Sequence, residues 1–97
     1  MQTTIAPYLL STYQMIKRAF PNGIEPEEYQ LLLAILYEEL SDRNLAEVVA
    51  HYTGKDYATV LNDVYRLKSN PIPMSEAIAK IEQRLLVCGY EEWLEES

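Results

Sequence analysis

The sequence is poor in the residues from which most recognisable sites are built. Its 97 residues hold one cysteine, one histidine, one tryptophan, one phenylalanine and three glycines. A lone Cys88 excludes an intramolecular disulfide and leaves no zinc-binding cysteine pattern. Three glycines are too few for a Gly-rich loop that cradles phosphate. The longest apolar run, LLLAILY at 31–37, is far short of the ~20 residues a membrane helix requires. The opening MQTTIAPYLLSTY lacks the basic start and apolar core of a signal peptide, so a soluble, cytoplasmic protein without membrane attachment is expected.

Positive charge is scarce as well. Eight basic residues face fifteen acidic ones, a net charge of −7. Phosphate backbones and anionic membranes are bound largely by Lys and Arg, so this balance disfavours both. The acid is unevenly spread: residues 25–47 carry seven acids and one Arg, and the final EEWLEES carries four acids and no base.

What the chain does have is apolar content at helical spacing. Hydrophobic residues make up 48%, enough for one small globular core at this length. Ile5, Leu9, Thr12, Tyr13, Ile16 and Phe20 share one face of a first helix, capped by Thr3 or Thr4 and ending near Pro21. In FPNGIEPEEY, Asn22 and Gly23 supply a turn, and Pro26 suits the first position of a second helix, with Glu27 and Glu28 beside its positive end. That helix is expected to reach Leu40. It is apolar almost all round, the pattern of a central helix. Ser41 caps a third helix with Leu45, Val48, Val49 and Tyr52 inward and Gly54 as its stop. Asp56 caps a fourth, striped by Tyr57, Val60, Leu61, Val64 and Leu67 and halted by SNPIP. Ser75 caps a fifth, with Ile78, Ile81, Leu85 and Cys88 inward. Trp93 and Leu94 then form a short helix or an extended tail. The expected fold is all-α, a single-domain bundle of about five short helices over residues 1–90, followed by an acidic C-terminal tail, 91–97.

The run FPNGIEPEEYQLLLAILYEELSD, followed by VV and a late helix ending in CGY, resembles a family of small bacterial helical proteins of unknown function. The matching residues are Phe20, Pro21, Gly23, Ile24, Pro26, Tyr29, Leu32, Leu33, Leu40, Ser41, Asp42, Gly89 and Tyr90, within residues 9–90. The segment YTGKDYATV and the acidic end after Tyr90 depart from it. The resemblance implies a helical bundle without known enzymatic activity.

Few constellations suggest chemistry. Glu25, Glu27 and Glu28, and then Glu38, Glu39 and Asp42, stand where helix starts and solvated faces call for acids, and no D-x-D-x-D-G loop or E-x-x-H pair accompanies them. His51 and Cys88 are far apart in sequence, and Cys88 fits a buried stripe. The spacing of Ala50, Gly54 and Val60 is that of a helix-turn-helix, whose outward contacts would be Lys55, Tyr57, Thr59, Asn62, Arg66 and Lys68. Lys55 and Asp63, however, fall where that motif is usually apolar.

Tyrosine is the strongest bias, with eight copies against one Phe. So many hydroxyls cannot all be buried in a small core, and Tyr is enriched among interface anchors. Tyr37, Tyr65 and Trp93, with Glu38, are therefore the expected partner surface. The sequence favours a non-enzymatic protein–protein interaction module, needing no cofactor or metal and engaging a protein partner or a second copy. The alternative is a nucleic-acid-binding helix-turn-helix through residues 57–66.

Overall fold

The computed structural model describes residues 5–73 and 75–96; the caps expected at Thr3 and Thr4 lie outside them. A 3-10 turn at Pro7–Leu9 leads into α1 (Leu10–Ala19), α2 (Pro26–Leu36), α3 (Asp42–Thr53), α4 (Tyr57–Ser69), α5 (Glu76–Val87) and α6 (Tyr90–Glu96). No strand occurs among the described residues, and the protein is an all-α single-domain bundle.

The joint between α1 and α2 shows how local sequence and distant side chains combine. Phe20 leaves helical geometry at φ −131°, ψ 70°, as the residue before a proline is driven to do. Pro26 then occupies the first helical position of α2, and the Glu25 N–H donates to Glu28 Oε1 at 3.0 Å, one arm of a capping box. The carbonyls left at the end of α1 are satisfied from afar. Arg84 Nε on α5 donates to the Ala19 carbonyl at 2.7 Å, and the Tyr52 hydroxyl on α3 donates to that of Phe20. Arg84 also lies over the Phe20 ring, 4.4 Å from its centroid, and pairs with Glu28 Oε2 at 3.2 Å. The Glu25 N–H and the Arg84 guanidinium thus give both carboxylate oxygens of Glu28 structural partners.

Elsewhere the local signals hold with three adjustments. Ser41 Oγ accepts from the Asn44 N–H at 3.1 Å and Ser75 Oγ from that of Ile78 at 3.4 Å. Asp56 occupies the N-cap of α4, but its side chain makes no capping hydrogen bond. α2 stops at Leu36, not Leu40, because the Leu36 carbonyl takes the N–H groups of both Glu39 and Leu40 and tightens the last turn. Nor is α2 buried all round: Leu32, Leu33 and Leu36 are, whereas Leu31 and Ile35 are half-buried.

Gly54 closes α3 at φ +80°, a left-handed cap that L side chains resist, and turns the chain into α4. α3 and α4 form the most extensively packed helix pair, while α2 packs mainly on α5. Met15, Ile16, Leu33, Leu45, Val60 and Leu85 meet in one continuous core.

The end of the chain is no solvated tail. Residues 90–96 form α6, which packs on α1 and α5. The radius of gyration, 12.6 Å, matches the roughly 13 Å of a compact unit of this length. No helix among the described residues is long and apolar enough to cross a membrane.

Candidate functional site

Trp93 corrects the expected partner surface. Its ring is 7% exposed, stacks on Tyr90 with centroids 5.8 Å apart, and its Nε1–H donates to Thr12 Oγ1 at 2.7 Å. The acids around it suggested a solvated residue, but they occupy the outer face of a helix whose inner face is Tyr90 and Trp93. Trp93 is a core residue.

The other three residues lie on the surface, though not together. Tyr37 is half-buried at the end of α2, and Glu38, exposed, follows it. Both line a cleft between α2, α5 and α6. Tyr65 does not line that cleft. It stands on α4, 47% exposed. Tyr57, expected in the buried stripe, is 41% exposed, because Val60, Val64 and Leu67 suffice to cover α3 and α2. Tyr57, Leu61 and Tyr65 recur at four-residue steps, so they share one flank of the helix. Leu61, also assigned to the buried stripe, is half-buried between the two exposed rings.

The residues of the helix-turn-helix alternative divide between two flanks. Thr59, Asn62 and Arg66 share one exposed flank of α4; Tyr57 belongs to the other. Each cation of the set is engaged within the chain. Lys55 Nζ sits 5.0 Å from the centroid of the Tyr29 ring. Arg66 Nη1 lies 3.5 Å from Asp63 Oδ1, and Lys68 Nζ lies 3.0 Å from Asp42 Oδ1.

Asp63, out of place in a DNA-binding motif, has a structural partner. The Tyr29 hydroxyl donates to Asp63 Oδ2 at 2.6 Å, joining α2 to α4. Burial, followed by this bond and the charge of Asp63, pushes the phenol well above its ordinary value. The pair borders a cleft of about 230 Å³ with Gln30, Arg66 and Asn70. Sequence reasoning missed this pair. Its only signals were an acid at an apolar-looking position and a tyrosine on the inner face of α2.

His51 lines an open cleft with Glu47, Lys55, Asp56 and Tyr57. His51 packs edge-on against Tyr13, centroids 5.1 Å apart. Cys88 is half-buried, not in the buried stripe, because it lies just past the end of α5. Its carbonyl accepts from Arg18 Nη2 at 3.0 Å. His51 and Cys88 line separate clefts. Among the described residues no group of three or more His, Cys, Asp or Glu is arranged to hold a metal ion.

Comparison of the chain with protein-family models, with curated proteins and with solved structures finds no match.

Proposed function

We propose that this protein is a cytoplasmic, non-enzymatic protein–protein interaction module whose working surface is the α4 flank bearing Tyr57, Leu61 and Tyr65. One observation carries this. Two tyrosine rings, 41% and 47% exposed, stand eight residues apart on a helix whose other large apolar residues are buried or half-buried. Tyrosine brings a large rigid ring at small entropic cost, and rings of this kind anchor interfaces. The fold does not need them outside.

The helix-turn-helix alternative has less support. Its cations already have weak partners in Tyr29, Asp63 and Asp42, and the net charge of −7 opposes a phosphate backbone. The test is affinity capture with the wild type and with the Tyr57→Ser/Tyr65→Ser double variant. The module retains a protein, or a second copy of itself, through the wild-type flank and loses it in the variant. Equal capture by both removes the flank from the function.

A further inference from the structure

A second surface specifies the chemistry of a partner, on the premise that the protein is an interaction module. The cleft between α2, α5 and α6 has a volume of about 230 Å³ and is lined in part by Tyr37, Glu38, Glu39, Ile78, Glu82 and Tyr90. Three carboxylates line it, and no Lys, Arg or His does.

Tyr90 supplies an independent observation. The residue is 6% exposed, yet its hydroxyl has no hydrogen-bond partner among the described residues. No side-chain polar atom sealed from solvent lacks a partner there, so this hydroxyl opens into the cleft that Tyr90 lines. Burial first, then the charges of Glu39, Glu82 and Glu38, push its phenol up to about 12. It is a neutral hydroxyl at physiological pH, close enough to three carboxylates to feel their charge, and free to accept a hydrogen bond from an incoming donor.

Size and chemistry narrow the occupant. Small-molecule sites run to roughly 300–1,000 Å³, and this cleft is smaller, on the scale of a single long side chain. The carboxylates are not arranged as metal ligands. Ile35 and Ile78 also border the cleft and offer an apolar wall to an alkyl stem, the arrangement Lys and Arg side chains favour.

We infer that this cleft receives a Lys or Arg side chain from a basic segment of a partner protein. The stem lies along Ile35 and Ile78. The N–H groups donate to carboxylates of the Glu38, Glu39 and Glu82 set, and one donates to the Tyr90 hydroxyl. The net charge of −7 favours a basic partner and opposes a second copy of this chain.

The experiment is an NMR titration of the ¹⁵N-labelled full chain with the peptide acetyl-Ala-Leu-Arg-Leu-Lys-Ala-amide. The control peptide carries citrulline for arginine and norleucine for lysine. Amide shifts are expected at Tyr37, Glu38, Ile78, Glu82 and Tyr90. Binding falls at least tenfold with the control peptide or in the Glu39→Gln/Glu82→Gln variant, and about fivefold in Tyr90→Phe, the scale of losing one ordinary hydrogen bond. Thermal melts establish that each variant folds. Shifts centred on Tyr57 and Tyr65, equal shifts with the neutral peptide, or undiminished binding in the folded variants overturn the inference. Such a result beside intact capture through Tyr65 leaves the module standing; lost capture beside an intact cleft titration does the reverse.

Discussion

The indole N–H of Trp93 donates to the hydroxyl of Thr12 across 2.7 Å, and the two residues are 81 positions apart. This bond fastens the last helix to the first and places the only tryptophan in the core. Trp93→Ala removes a buried aromatic and is expected to cost about 3–5 kcal/mol. Thr12→Val keeps the shape but strands the indole N–H, at about 1–3 kcal/mol. Urea unfolding followed by far-UV circular dichroism measures both. A Trp93→Ala loss below 1 kcal/mol would mean that α6 is not docked.

Gly54 isolates a backbone effect. A Cβ there meets no atom within 4 Å, yet φ is +80°. Gly54→Ala is therefore expected to destabilise by about 1–2 kcal/mol through left-handed strain alone, and Gly54→Asn by less, since Asn tolerates that region. Equal losses in the two variants would point to packing and not to backbone conformation.

Alkaline pH is expected to weaken the fold. Tyr29 and Tyr90 both have phenols raised above the ordinary value of 10.0. A raised acid binds more protons folded than unfolded, so its contribution is intact below pH 10 and falls as the unfolded phenols ionise. For Tyr90 the decline runs from pH 10 to about 12. Tyr90→Phe should make the decline over that window shallower, with Tyr29 sustaining the rest, as measured by denaturant midpoint against pH. An unchanged slope would show that the ring ionises as readily folded as unfolded.

The local half of this structure is legible in the sequence. Pro26, Ser41, Gly54 and Ser75 act within a turn of their own position, so spacing alone exposes them. The limits of α4 and α5 follow equally from their neighbours. What escapes is whatever a distant residue decides. Nothing near Trp93 announces Thr12, and its acidic surroundings suggested solvent. Nothing near Asp63 announces Tyr29, and nothing near Ala19 announces Arg84. The surface residues divide in the same way. Tyr65 is off the inward stripe and exposed, as spacing implies. Tyr57 fits the stripe by spacing but is left outside, because a thin bundle has no third layer to cover it.

Lys68 and Arg66 test the nucleic-acid alternative. Lys68→Glu breaks an exposed pair with Asp42, worth about 0–1 kcal/mol. The wild type is expected to show no retarded band with duplex DNA at physiological salt, and the triple reversal of Lys55, Arg66 and Lys68 no change. A band abolished by the reversal would instead establish the helix-turn-helix.

The most direct test of the interaction surface is site-specific photo-crosslinking in cells. A benzoylphenylalanine replaces Tyr65 in one strain and the exposed Glu27 in another, and adducts are resolved after nuclease treatment. The interaction module predicts a discrete protein adduct from position 65, nuclease-resistant and absent from position 27. No adduct at 65, the same adducts from both positions, or an adduct that nuclease removes would contradict it.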